Sequence, residues 1–158
     1  MEMLWEISHH FDPAVVRLAD DHYSRKKRGT PQFCPPGRHL VLFVRGPQWP
    51  FRAWAGWAWW HPHPNSPIPR MDGYQGWWQC SFFRNESPHL SSLLIAQAVR
   101  MVNESWGVPP FGYDTYVWPA KLKSTNPGYC YQKAGWSKDG WSKDGLKMVN
   151  YGGRLRGG

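Results

Sequence analysis

The sequence predicts a single α/β (α+β) domain in which helices pack on a mixed, partly antiparallel sheet. The chain has 158 residues, a usual size for one domain with its own core. Short apolar runs bounded by Gly and Pro are mixed with helical patterns, in the order β-α-β-β-β-α-β-α-β. Asp12-Pro13 and Ser87-Pro88 each combine a capping side chain with Pro at the first helical position. We predict one domain over residues 1–151 and a flexible C-terminal tail over 152–158.

Six segments have the composition of strands. His39–Arg45 is the clearest, because its β-branched and apolar residues are bounded by Gly37 and Gly46. Phe51–Trp60 follows closely, so we predict that these two strands form an antiparallel hairpin. The other predicted strands are Leu4–Ser8, Trp77–Phe83, Tyr113–Trp118 and Leu146–Tyr151.

Three segments are predicted to be helices. The first begins at Asp12-Pro13 and continues to about Tyr23. The second begins at Ser87-Pro88, carries one apolar stripe and stops at Gly107. The third begins at Asn126-Pro127, where the cap-plus-Pro signal recurs, and ends at a glycine.

A short tandem repeat follows the third helix. Gly-Trp-Ser-Lys-Asp occurs at residues 135–139 and again at 140–144. Each copy ends in an Asp-Gly dipeptide, which is typical of turns. The repeat therefore predicts a duplicated turn or hairpin.

Composition narrows the class of protein. Three cysteines, far apart and outside any CxxC pattern, favour reduced thiols over a disulfide framework or a zinc site and suggest a cytoplasmic location. The sequence contains neither a membrane-length apolar run nor the pattern of a signal peptide at its start. Twelve Trp suit core packing or stacking on a planar ligand. The net charge of +8 suits a polyanionic partner, an anionic CoA-type cofactor or a solvated surface.

A motif late in the chain carries a family resemblance. Tyr131-Gln-Lys-Ala-Gly135-Trp136 resembles the ending Tyr-x-x-x-Gly-Phe of the GNAT acyltransferases. That resemblance implies a GNAT-like mixed sheet with helices on both faces, which splays open near its centre and holds acyl-CoA or acetyl-CoA in the gap. It also implies that Tyr131 donates a proton to the leaving thiolate, as a phenol within hydrogen-bond reach of sulfur can do. The alternative for Tyr131 is a core residue on a short helix.

One part of the family pattern has no counterpart in this sequence. GNAT proteins carry a pyrophosphate loop, Gln/Arg-x-x-Gly-x-Gly/Ala, before the long helix. The equivalent stretch, Phe83–Ser92, lacks glycine but offers hydroxyl groups and the N-terminus of a helix, which together can bind an anion.

A narrower resemblance concerns the element after the first helix. His22-Tyr23-Ser24, followed by the basic run Arg25–Arg28, is similar to the His-Tyr-Ser element of the Mom family, phage proteins that modify adenine in DNA. Those proteins also lack the usual phosphate loop and carry an Arg-Asn-Ser-rich stretch before the long helix. The alternatives without a catalytic or binding role are a helix C-terminal cap for His22 and a polar loop for Arg84-Asn85.

The two resemblances together imply a set of site residues. The catalytic candidates are His22, Tyr23, Ser24 and Tyr131. The candidates for the donor's anionic end are Arg84, Asn85, Ser87, Ser91 and Asn126. The candidates for contact with nucleic acid are Arg25, Lys26, Lys27 and Arg28. His61, His63 and Glu86 suggest a surface loop rather than a metal site, so no metal ligand is assigned.

Three functions fit these observations. The first is a Mom-like transferase that modifies a base amine of double-stranded DNA in a bacterial cytoplasm, as a phage-encoded enzyme would. The second is an acyl-CoA-dependent N-acetyltransferase acting on a small amine, a tRNA or a protein lysine. The third is a non-catalytic basic module whose Trp residues stack on nucleic-acid bases. The missing glycines favour the first over the second, and the Tyr131–Gly135 segment argues against the third.

Overall fold

A computed structural model describes residues 2–9, 11–21, 34, 37–61, 77–117, 128–141 and 148–152. Seven strands and three helices lie in these ranges. The strands are β1 (Glu6–Ser8), β2 (Arg38–Val44), β3 (Ala55–His61), β4 (Trp77–Asn85), β5 (Gly112–Val117), β6 (Ser137–Trp141) and β7 (Met148–Gly152). The helices are α1 (Pro13–Ala19), α2 (Ser91–Trp106) and α3 (Tyr129–Lys133).

The strands form one mixed sheet in the order β1-β2-β3-β4-β5-β7-β6. Only β4 and β5 run parallel in this sheet, and α2 makes the crossover between them. The other neighbours are antiparallel, including the predicted β2–β3 hairpin. The predicted class, a partly antiparallel sheet with helices, is therefore confirmed.

The helices cover opposite faces of the sheet. On one face, α1 packs against β3 and β4, and Val15 and Leu18 share a core cluster with Ala58 and Phe82. On the other face, α2 and α3 cover a larger core, whose members include Leu42, Trp57, Trp59, Cys80, Leu94, Ile95, Tyr131 and Trp136. Tryptophan thus serves mainly as core material here, because the indole rings of Trp57 and Trp59 are fully buried.

The structure corrects the predicted start of one strand and the predicted end of the first helix. The strand predicted from Phe51 begins at Ala55, because the amides of Phe51 and Arg52 both donate to the carbonyl oxygen of Gln48 and hold the chain in a turn. The first helix ends at Ala19, with its last backbone bond donated by Asp20. Tyr23, the predicted end of that helix, lies outside the described residues.

The C-terminal part contains one strand more than predicted. The first copy of the Gly-Trp-Ser-Lys-Asp repeat contributes most of β6, which pairs antiparallel with β7. The antiparallel β6–β7 pair agrees with the hairpin alternative, but Asp139-Gly140, predicted to be a turn, lies inside β6. The rest of the second copy, residues 142–144, lies outside the described ranges. Gly152, predicted to open the tail, is instead the last residue of β7 and pairs with Tyr113. Residues 153–158 lie outside the described ranges.

None of the three helices in the described part of the chain is long and apolar enough to cross a membrane.

Candidate active site

The parallel strands β4 and β5 separate partway along their length. Their pairing runs from Trp77 opposite Gly112 to Cys80 opposite Thr115. Beyond Cys80, β4 continues to Asn85 and pairs only with β3 among the described strands. The backbone groups of residues 81–85 on the β5 side therefore face a gap at the carboxyl ends of two parallel strands. Such a crevice is where open α/β sheets bind ligands.

A β-bulge lies at the start of this gap. In the β3–β4 ladder Trp59 is opposite Cys80, while the preceding Ala58 is opposite Phe82, so Ser81 is the extra residue. The bulge changes which side chains face each side of the sheet. Phe82 joins the core beneath α1, and Phe83 turns to the α2 side with Cys80.

Tyr131 lies at the closed end of the gap, on the α2 side of the sheet. Its hydroxyl is 3.8 Å from Sγ of Cys80, at the last β4–β5 pair. Its ring contacts the rings of Trp57, Phe83 and Trp136 at centroid distances of 6.3, 6.2 and 5.2 Å. Only 7% of Tyr131 is exposed. The phenol is thus held in an apolar ring cluster with its hydroxyl against a sulfur atom.

The backbone around α3 fixes this position. Gly128 precedes the helix with φ +81°, a left-handed conformation that favours glycine. Gly135 follows it with φ +93°, and the amide of Trp136 donates to the carbonyl oxygen of Tyr131 at 2.9 Å. The predicted start at Asn126-Pro127 is wrong for the helix observed, which begins at Tyr129. Asn126 itself lies outside the described residues.

Cys80 is a neutral neighbour of Tyr131. Burial raises the pKa of the Cys80 thiol to about 12, so the group is protonated at neutral pH. Sγ of Cys80 donates to the carbonyl oxygen of Phe82 at 3.4 Å. With its proton directed there, the sulfur is an acceptor for the hydroxyl of Tyr131.

The connection from β4 to α2 is a closed network of turn hydrogen bonds. Oδ1 of Asn85 accepts from the amide and the hydroxyl of Ser87, at 2.9 and 2.6 Å. Nδ2 of Asn85 donates to the carbonyl oxygen of His89 at 2.8 Å and to Oγ of Ser91 at 3.0 Å. The structure therefore brings these three predicted donor-binding residues together, and their side chains bind one another and shape the turn.

This network also explains why α2 begins later than predicted. Oγ of Ser87 accepts from the amide of His89 at 3.2 Å, so it caps a turn rather than the helix. The helix begins at Ser91 with Leu90 at the N-cap, and no side chain caps it. The amides of its first turn are therefore left for other acceptors. They lie where β4 leaves the sheet, beside the open edge of that strand.

Arg84 belongs to an ion network at the same corner. Its Nε donates to Glu86 at 3.0 Å, and its Nη1 donates to the carbonyl oxygen of Asp21 at 3.2 Å. Arg52 binds both carboxylate oxygens of Glu86 at 2.9 Å and a carboxylate oxygen of Asp21 at 2.8 Å. The hydrogen bonds from Arg52, with those from Arg84, hold the pKa of Glu86 below its usual value. The same contacts raise the pKa of Arg52.

A cleft adjoins this network. It has a volume of about 270 Å³ and lies between the β2–β3 loop and the end of β4. Its lining residues are Gly46, Pro47, Gln48, Arg52, Ala53, Trp54 and Glu86.

This arrangement of strands and helices also occurs in a solved structure. The structure is similar to that of an acyl-CoA N-acyltransferase from Pseudomonas aeruginosa, with a TM-score of 0.58 and 11% identity over 93% of this chain and 97% of that one. The chain has a GNAT-like fold. No protein-family model and no curated protein matches the sequence. None of these comparisons supports the narrower resemblance to the Mom family, which stays a prediction.

The remaining residues predicted for the site lie mostly outside the part of the chain that the structure describes. His22, Tyr23, Ser24 and the basic run Arg25, Lys26, Lys27 and Arg28 lie outside the described residues. Asp21, which precedes them directly, lies at the β4–α2 corner through its bonds to Arg52 and Arg84. Within the described ranges, no cluster of three or more His, Cys, Asp or Glu side chains is placed to hold a metal ion.

Sequence reasoning missed three residues of this site. Cys80 and Trp57 lie on predicted strands, but nothing in the sequence links them to Tyr131. Arg52 was taken as part of a strand. Cys80 lies immediately before the β-bulge, but the sequence at Ser81 gives no sign that a bulge occurs there. The sequence therefore offers no signal that identifies Cys80 as a site residue.

Proposed function

We propose that the protein transfers an acyl group from a CoA thioester to an amine, with the donor bound in the gap between β4 and β5. One observation carries the proposal: the open edge of β4 runs from Ser81 to Asn85, and a tyrosine hydroxyl lies at its closed end. An extended ligand chain with amide groups can pair with such an edge in the manner of an added strand. The donor's reactive end would then reach Tyr131.

The chain's own groups fit the chemistry of the transfer. The amine nitrogen forms a bond to the acyl carbon, the carbon–sulfur bond breaks, and the amine loses a proton to solvent. Tyr131 gives its phenolic proton to the leaving thiolate and regains a proton from solvent. In the present structure that hydroxyl already lies 3.8 Å from a sulfur atom, Sγ of Cys80, so it need only turn from one sulfur to another. General acids of this kind contribute about 10²–10⁴-fold to rates.

The phosphates of the donor have a suitable partner at the corner of the site. The uncapped first turn of α2 presents backbone amides, and the positive end of the helix dipole favours an anion there. Arg84 adds a cation near the end of β4, although Glu86 shares its charge. In this proposal Asn85, Ser87 and Ser91 hold the turn in shape.

Calorimetric titration with acetyl-CoA tests the proposal. Binding at micromolar to millimolar concentration, with release of free thiol when a primary amine is added, is the expected result. Tyr131→Phe should bind the donor with similar affinity and release thiol slowly. If neither acetyl-CoA nor another acyl-CoA binds at millimolar concentration, the proposed function is wrong.

We further propose that the acceptor is a base amine of double-stranded DNA, as in the Mom family. The net charge of +8 supports a polyanionic acceptor. The basic run Arg25–Arg28 starts four residues after Asp21, which lies beside Arg84 at the site. An enzyme that modifies a base must extrude it, and aromatic side chains stack on extruded bases.

Mass spectrometry of nucleosides tests the choice of acceptor. Plasmid DNA from cells that express the protein should yield a nucleoside of new mass after digestion. His22→Ala or Tyr23→Phe should abolish that product. Unmodified DNA at good expression, together with thiol release when small amines are supplied, would favour an ordinary N-acetyltransferase instead.

A further inference from the structure

Trp57 carries a buried hydrogen-bond donor that lacks an acceptor. The side chain is 0% exposed, and its Nε1 has no hydrogen-bond partner in the part of the chain that the structure describes. Two other tryptophans of the same core are satisfied: Nε1 of Trp5 donates to the carbonyl oxygen of Leu94 at 2.8 Å, and Nε1 of Trp59 donates to that of Ala98 at 2.9 Å. A buried donor without a partner is rare in native proteins and is destabilising, so it calls for an explanation.

The position of Trp57 relates this donor to the gap. Trp57 is opposite Phe83 in the β3–β4 ladder, and their ring centroids are 5.0 Å apart. Phe83 lies on the part of β4 that leaves β5, and it is partly exposed. Tyr131 completes the cluster, within 6.3 Å of both rings. The orphan N–H therefore belongs to the ring cluster that lines the closed end of the gap.

We infer that the indole N–H of Trp57 binds the carbonyl oxygen of the acyl group of the donor thioester. This inference rests on the proposed function and assigns the acyl-binding part of the same site. A carbonyl oxygen is the acceptor that a lone N–H requires, and bound donor would satisfy it without adding a charge. Phe83 is partly exposed, so a shift of its ring would give the acyl group its route of entry.

The chemistry of the cluster also limits the acyl group. Trp57, Phe83 and Tyr131 present rings, and Cys80 is a protonated thiol at neutral pH. Burying a carboxylate among these groups would leave it without a cationic partner, which is strongly unfavourable. The acyl groups that fit this lining are uncharged, such as acetyl or propionyl, and dicarboxylic acyl groups should bind poorly.

Two CoA derivatives that differ in one oxygen atom test this inference. S-ethyl-CoA has the size of acetyl-CoA but lacks the carbonyl oxygen. By calorimetry, the full-length protein should bind acetyl-CoA about tenfold more tightly than S-ethyl-CoA, the effect of one buried hydrogen bond. In Trp57→Phe, which removes the donor, the two ligands should bind within about twofold of each other.

Trp59→Phe is the matched control, because Trp59 lies on the same face of β3 and is equally buried. That variant loses the hydrogen bond from Trp59 to the carbonyl oxygen of Ala98, so it should lower the melting temperature more than Trp57→Phe does. It should keep the preference for acetyl-CoA. Equal binding of the two ligands by the wild-type protein, or an unchanged preference in Trp57→Phe, would overturn the role of Trp57 and leave the proposed function standing.

Failure of the proposed function has a different signature. In that case the wild-type protein binds neither acetyl-CoA nor S-ethyl-CoA. If Trp57→Phe does not fold, the preference of the wild-type protein decides: tenfold supports the inference, and equal affinity contradicts it.

Discussion

Removing the hydroxyl of Tyr131 should lower the catalytic rate strongly and the stability of the fold only slightly. In Tyr131→Phe the ring keeps its contacts with Trp57, Phe83 and Trp136, and the change removes the 3.8 Å contact to Cys80. Because both partners in that contact are neutral, the free energy of unfolding should fall by only about 1 kcal/mol. Domains of this size have a free energy of unfolding of about 5–15 kcal/mol, so the variant remains folded.

The expected loss of rate is much larger than that loss of stability. If Tyr131 is the general acid, kcat should fall by about 10²–10⁴-fold, which corresponds to about 2.7–5.4 kcal/mol of activation free energy. Urea unfolding and thiol release from acetyl-CoA, measured on the same preparation, give the two quantities. The dissociation constant for acetyl-CoA should stay within a few-fold of the wild-type value.

Tyr113→Phe provides the control for this comparison. Tyr113 is also buried, its ring stacks on Trp136 at 6.1 Å, and its hydroxyl donates to Asn103. Its loss should cost a similar free energy of unfolding and leave kcat unchanged. If Tyr131→Phe retained more than a third of the wild-type kcat, or if both variants lost kcat equally, the assignment of Tyr131 as the acid would be refuted.

Four further predictions concern the corner and the core of the molecule. Arg52→Ala should lower the free energy of unfolding by about 1–3 kcal/mol, because Arg52 makes charged hydrogen bonds to Glu86. Arg52→Lys should restore less than half of this lost stability. An unchanged urea midpoint in Arg52→Ala would contradict the prediction. Because the pKa of Glu86 is lowered in the folded state, its carboxylate stabilises the fold at pH values above its unfolded pKa, which is near 4.3. This stabilisation is lost as the pH falls through the lower folded pKa. Below pH 4 the melting temperature should therefore decline less in Arg52→Ala than in the wild-type protein. At pH 8 the thiol of Cys80 should resist iodoacetamide in the native protein and react in urea, as mass spectrometry of its peptide would show. Gly56→Ala should cost about 1–3 kcal/mol by thermal unfolding, since the added methyl carbon would lie 2.9 Å from the ring of Phe82.

Local signals in the sequence succeeded where neighbours along the chain decide the structure. Asp12-Pro13 does begin a helix: Oδ1 of Asp12 accepts from the amide of Ala14 at 2.9 Å. Ser87-Pro88 carries the same signal and begins none, because Asn85 engages the hydroxyl and the amide of Ser87 in a turn. The cap signal at Ser87 fails because its hydroxyl is already engaged in that turn.

The site was predictable only in outline, because its contacts join distant parts of the chain. Tyr131 was found through its motif, but its neighbour Cys80 is 51 positions away. Arg52 and Glu86 are 34 positions apart, and neither carries a local mark of their ion pair. The gap itself depends on where the β4–β5 pairing stops, and that point coincides with the bulge at Ser81 in the β3–β4 pair. Register and bulges arise from packing across strands, which a single sequence does not display.

The central claim is that the gap between β4 and β5 holds the acyl donor. A crystal structure with S-ethyl-CoA, which cannot transfer an acyl group, tests this most directly. The account predicts that the pantetheine chain pairs with the β4 backbone between Ser81 and Asn85, with its sulfur within hydrogen-bond reach of the Tyr131 hydroxyl. An analogue bound in the cleft beside Arg52 and Trp54, with β4 and β5 unoccupied between them, would contradict it.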